Sequence, residues 1–173
     1  MLFKILVCIL IFFTGAAAGR LKAKTYDNRI YHLQELISLL KVLESEMKYR
    51  LDPLPDLLIR VSGIKDGMCA VFFETAGRLM KNQTGRDLAD CWKEAVETAF
   101  HESALRNEDK RILIDMSIEL GKTDMENQSS LFRRTFMLLE AQESEAAEEK
   151  KTKGRMYKSL GTAIGLLIII VLI

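Results

Sequence analysis

The chain has 173 residues, a formal net charge of +1 and 28% charged residues. That length holds one helical domain, and the near-zero balance excludes the basic field that nucleic-acid binding requires. Two prolines and an abundance of Ala, Leu, Glu, Lys and Met favour helix over sheet.

The amino end opens with Lys4, an apolar run from Ile5 to Phe13 and a small-residue patch from Thr14 to Gly19. A cleaved leader needs a basic residue, a short apolar core and a small-x-small site, and Lys4, Ile5 to Phe13 and Ala16-x-Ala18 supply these. An uncleaved anchor is favoured by the positive charges that follow directly, Arg20, Lys22, Lys24 and Arg29, because such charges resist translocation. The expected organisation is therefore a first membrane anchor over residues 1–19, a cytoplasmic helical domain over 20–156 and a second anchor over 157–173.

From Leu21 to Tyr49 the spacing predicts one long helix continuing from the anchor. Ile30, Leu33, Leu36, Ile37, Leu40, Leu43 and Met47 recur at three and four. Pro53 and Pro55 forbid its continuation, with Asp52 placed to cap the next segment. A short helix follows from Leu54 to Val61, closed by Ser62-Gly63. A third runs from Asp66 to Lys81, with Met68, Val71, Phe72 and Leu79 as its apolar side.

Thr84 and Asp87 resemble a helix start, and the fourth helix extends from Arg86 to Leu105 with Trp92 as a core anchor. Asn107 is the expected cap of a fifth, whose apolar positions are Ile112, Ile114, Met116 and Ile118, and Gly121 is placed to end it in a left-handed conformation. Thr123 with Glu126 forms a capping box for the last helix, which buries Leu131, Phe132, Thr135, Leu138 and Leu139. Beyond Ala141 it becomes a charged stalk. Its glutamates, Glu143, Glu145, Glu148 and Glu149, read either as a docking face or as partners of lysines four residues on, as Glu149 is of Lys153. Gly154 is a candidate hinge.

The chain closes with Lys150, Lys151, Lys153, Arg155 and Lys158, then an uncharged apolar run from Ser159 to Ile173. As a helix this run reaches roughly 22 Å against a hydrocarbon core of about 30 Å, so Met156, Tyr157 and a snorkelling Lys158 complete the second anchor. Both expected anchors carry G-x-x-x-G, at Gly15 and Gly19 and at Gly161 and Gly165. Such strips let helices approach closely in lipid, within one chain or between chains, although glycine is also common in membrane helices for other reasons.

Little here points to catalysis. His32 and His101 fall on different predicted helices, the cysteines show no C-x-x-C, and no phosphate-cradling or nucleophile-elbow motif occurs. The expectation is a non-enzyme without metal, cofactor or small-molecule substrate.

The segment Leu43-Glu-Ser-Glu-Met-Lys-Tyr49 with Pro53-Leu54, the later Leu120-Gly-Lys-Thr-Asp124 with Gln128, and Lys158-Ser-Leu-Gly161 before an apolar tail resemble the stage III sporulation protein AB family. The likeness in layout covers the whole chain. It implies an all-α bundle of about six helices between two transmembrane helices, similar to the platform proteins of type II secretion and type IV pilus machines. It further implies a scaffold in the mother-cell membrane around the forespore. There it would couple a cytoplasmic ATPase to the other protein components of a sporulation channel. Glu44, Glu46, Tyr49 and Pro53 are the family-like positions and candidates for facing a partner. The alternatives are a membrane-anchored regulator that binds a ligand and an exported, tail-anchored domain.

Overall fold

A computed structural model of the chain describes residues 2–50, 52–82, 85–122, 125–154, 156–157, 159–160 and 163. These residues form six α-helices: α1 Leu2–Tyr49, α2 Leu54–Ser62, α3 Met68–Asn82, α4 Leu88–Ala99, α5 Asn107–Glu119 and α6 Met125–Glu149. No strand occurs among them, and α6 ends in a π-helical turn, Lys150–Gly154. The chain divides into two compact units: Tyr31–Glu143, and Met1–Ile30 together with Ser144–Ile173.

In the central unit, the α1 stripe Leu33, Leu36, Ile37, Leu40 and Leu43 is fully buried, and Leu39 joins it. Each such leucine contributes about 1.5–3 kcal/mol by leaving water. Pro53 turns the chain out of α1. Its carbonyl accepts from the Asp56 and Leu57 amides at 2.9 and 3.2 Å, which starts α2. Asp52 does not cap α2 as expected; its carboxylate pairs with Arg60 at 3.0 Å.

The third helix is rotated from the expected phase. Its buried residues are Cys69, Ala70, Phe72, Phe73, Ala76 and Gly77, whereas Met68 and Val71 are exposed. Two features choose the face. Phe72 and Phe73 bury more area than Val71, and they close on Trp92 edge to face, at centroid distances of 5.0 and 6.4 Å. At Gly77 a Cβ would stand 2.8 Å from the Pro55 carbonyl oxygen and 2.8 Å from Ile59 Cγ1, so only glycine admits α2 at this distance. Lys81 and Asp56 pair across the same two helices.

Trp92 is fully buried, as expected, and its indole N–H donates to the Leu113 carbonyl at 2.9 Å, tying α4 to α5. Helix α4 stops at Ala99 and not at Leu105. The Ser103 hydroxyl donates to the Phe100 carbonyl at 2.9 Å and accepts from the Leu105 amide at 3.3 Å, local bonds that compete with helix continuation. Arg106, not Asn107, occupies the cap position of α5, and its amide donates to the Asp109 carboxylate at 2.8 Å. In α5 the buried set is Asp109, Leu113, Met116 and Ser117, with Ile118 55% exposed. Gly121 takes φ +75°, the left-handed conformation expected after α5. Helix α6 buries Leu131, Phe132, Thr135 and Leu139, but Leu138 is 47% exposed. Thr84 and Thr123, the other two expected helix starts, lie outside the described residues.

In the unit that gathers the two chain ends, α1 and the end of α6 run antiparallel. Tyr26 stacks on Tyr157 with centroids 6.3 Å apart, Asp27 pairs with Lys150 at 2.7 Å, and Arg29 pairs with Glu149 at 3.5 Å. The charged stretch after Ala141 is thus engaged and not a solvated stalk throughout. Gly154 closes a π turn in which Thr152 donates to the Glu148 carbonyl at 3.0 Å. No helix among the described residues is long and apolar enough to cross a membrane. Of the expected second anchor, only Tyr157, Ser159, Leu160 and Ala163 are described; Lys158, Gly161 and Gly165 lie outside the described residues.

Candidate functional site

The family-like residues of α1 gather at its carboxyl end. Glu46 accepts from Arg50 at 2.6 Å and from Arg60 of α2 at 3.2 Å, and the other arm of the Arg60 fork reaches Asp52. Pro53 makes this possible by folding α2 back so that Arg60 faces the last turn of α1. Glu46 is therefore a member of a surface ion network that holds the α1–α2 corner, worth about 1 kcal/mol per pair at this exposure. Tyr49 is different: it is 79% exposed, with the Lys48 ammonium 5.9 Å from its ring centre. Of the four family-like positions Tyr49 and Pro53 are exposed, while Glu44 and Glu46 are half-buried.

The basic residues expected to set topology fall into two groups. Arg20, Lys22 and Lys24 on α1, and Lys150, Lys151 and Lys153 on the π turn, are exposed. Arg29 is buried and commits its charge to Glu149. Arg155, like Lys158, lies outside the described residues. Gly19 is buried within this unit, and Gly15 lies in the helical backbone of α1.

A third cluster lies inside the central unit and was not expected. His32 and Glu35 stand three residues apart on α1, one above the other on the same face. Cys69, second residue of α3, is brought against them by Gly67, whose φ of +134° turns the chain into that helix. The ligating atoms of His32, Glu35 and Cys69 all lie within 4.8 Å of one another. Glu35 is 3% exposed, and neither of its carboxylate oxygens has a donor in good geometry, the weakly donating Cys69 thiol being its polar neighbour; the buried His32 Nδ1 also lacks a partner. The Cys69 thiol donates a long bond to the His32 carbonyl, 3.7 Å. Burial, and next the adjacent Glu35 carboxylate, push the thiol pKa far above its usual value. Burial lowers the His32 pKa, which the Glu35 charge partly offsets, so the imidazole is neutral near pH 7. The i, i+3 pairing of His32 and Glu35 was visible in the sequence, whereas the arrival of Cys69 depends on a tertiary crossing.

Residues 4–173 match the family model described as stage III sporulation protein AB (spore_III_AB). The chain belongs to this family. It is 25% identical over 170 residues to stage III sporulation protein AB of Bacillus subtilis (strain 168), an alignment that covers 98% of both chains. A solved structure of a stage III sporulation protein AB superposes with a TM-score of 0.67 at 18% identity, covering 72% of this chain and 98% of that one. The fold is thus shared with that structure, and the family places this chain among sporulation proteins.

Proposed function

We propose that this sporulation protein is a non-catalytic membrane scaffold that holds a helical platform at the cytoplasmic face of the mother-cell membrane around the forespore. There it couples a cytoplasmic ATPase to membrane components of a channel between the two cells. The observation that carries this reading is the antiparallel pairing of the two chain ends through Tyr26 and Tyr157, Asp27 and Lys150, and Arg29 and Glu149. Each partner sits beside an exposed basic cluster and a run of apolar sequence that leads to a chain terminus. Two tethers leaving side by side restrain tilt as well as position, which one tether does not. Lys and Arg at both membrane-proximal ends favour retention of the intervening residues in the cytoplasm.

The outward Tyr49, with the Lys48 ammonium 5.9 Å from its ring centre, suits a protein contact, since tyrosine combines large contact area with low entropy cost. Crosslinking in sporulating cells with the full chain as bait tests the role. Recovery of a cytoplasmic ATPase, reduced in Tyr49→Ala, is the expected outcome. Recovery of metabolic enzymes alone contradicts the scaffold reading.

A further inference from the structure

We propose that His32, Glu35 and Cys69 form a binding site for one divalent transition-metal ion of the zinc class, with imidazole, carboxylate and thiolate as its ligands.

Glu35 poses the problem that the ion resolves. A carboxylate at 3% exposure has lost its water, and neither of its oxygens meets a donor in good hydrogen-bond geometry; the neighbouring Cys69 thiol is a weak donor that does not replace that water. An uncompensated charge there costs several kcal/mol. The simplest compensation is the amino end of α3, since a Cβ at Gly67 would lie 3.6 and 3.7 Å from the two carboxylate oxygens. A helix end contributes about 0.3–1 kcal/mol to a nearby carboxylate and at most about 2, too little to offset the loss. A divalent ion is sufficient. It is also matched by the other members of the cluster: an unpartnered, buried imidazole nitrogen and a buried thiol.

The donor set selects the metal class. Thiolate and imidazole prefer soft or borderline ions, and one carboxylate with them suits zinc better than magnesium or calcium, which take oxygen shells. Tetrahedral zinc places its ligand atoms roughly 3.4–3.7 Å apart. The three atoms here begin within 4.8 Å, so side-chain rotation closes the site without moving α1 or α3. On binding, the Cys69 S–H proton leaves to solvent, sulfur and His32 nitrogen each donate a lone pair, and no electron transfer occurs. Two anionic ligands cancel the charge of the ion, so the buried complex is neutral. A water completes the fourth position, and the exposed segment 63–68 leaves a path for the ion to enter.

The test uses the full chain in detergent with Cys8→Ser and Cys91→Ala, which leaves Cys69 as its sole thiol, stripped with a chelator and titrated with Co2+. The expected result is one ion per chain, a sulfur-to-cobalt charge-transfer absorption, displacement by Zn2+ and a rise in Tm with Zn2+. Glu35→Gln weakens binding by at least about 10-fold, because loss of a ligand exceeds the loss of a supporting group. Absence of the charge-transfer band in the sole-thiol chain and in the unmodified protein overturns the site, as does a band that survives Cys69→Ser in the unmodified background. The first of these outcomes needs no substitution at the site, so a variant that fails to fold does not shield the proposal.

Discussion

Arg29 and Glu149, 120 positions apart in the chain, meet at 3.5 Å with side-chain exposures of 3% and 13%. The Glu149 carboxylate also receives the exposed Lys153 at 2.6 Å, so it is flanked by two cations, one buried and one at the surface. A pair this deep couples more strongly than a surface pair, whose value is about 1 kcal/mol or less.

A double-mutant cycle of Arg29→Met and Glu149→Met, read by thermal unfolding of the full chain in detergent, is expected to give a coupling of about 1–3 kcal/mol. Additive single effects would show that the two ends of the chain do not depend on each other here.

Gly77 and Gly154 offer a matched comparison. Alanine gains up to about 1 kcal/mol over glycine in a helix, but at Gly77 its Cβ meets the Pro55 carbonyl and Ile59 at 2.8 Å, and overpacking costs about 1–3 kcal/mol. Among the described residues, the only heavy atom within 4 Å of a Cβ at Gly154 is Lys150 Cγ, at 3.9 Å. Gly77→Ala is expected to lower the melting temperature and Gly154→Ala to leave it level or raise it. The reverse order would refute the close approach of α2 to α3.

Trp92, the one tryptophan, is fully buried and hydrogen-bonded to the Leu113 carbonyl. Native fluorescence is expected at short wavelength with little acrylamide quenching, shifting to the red on unfolding. Trp92→Phe removes the bond and part of the packing and should cost about 2–4 kcal/mol. Water-like native emission would contradict the core described here.

Much of the helical order was legible because it depends on local signals. The three-four recurrence of Leu33, Leu36, Ile37, Leu40 and Leu43 and the turn at Gly121 are properties of short segments, and the structure holds both. The phase of α3 was not legible: apolar residues surround that helix, and the choice of face is made by Trp92 from α4 and by α2 at Gly77. Ile118 and Leu138 are exposed for a similar reason, since Leu113, Met116 and Leu139 fill the available core. The buried cluster was half visible. His32 and Glu35 share a helix face three residues apart, whereas Cys69 joins them through a crossing no spacing reveals.

The proposed scaffold role requires the helical domain to lie on the cytoplasmic side of a membrane. Tyr49→Cys, in a full chain with Cys8 replaced by serine, offers an exposed thiol, while Cys69 and Cys91 are buried. With this variant in the plasma membrane of non-sporulating cells, a membrane-impermeant maleimide is expected to leave position 49 unlabelled in intact cells and to label it fully after permeabilisation. Full labelling in intact cells would put the platform outside and contradict both the orientation and the proposed coupling to a cytoplasmic ATPase.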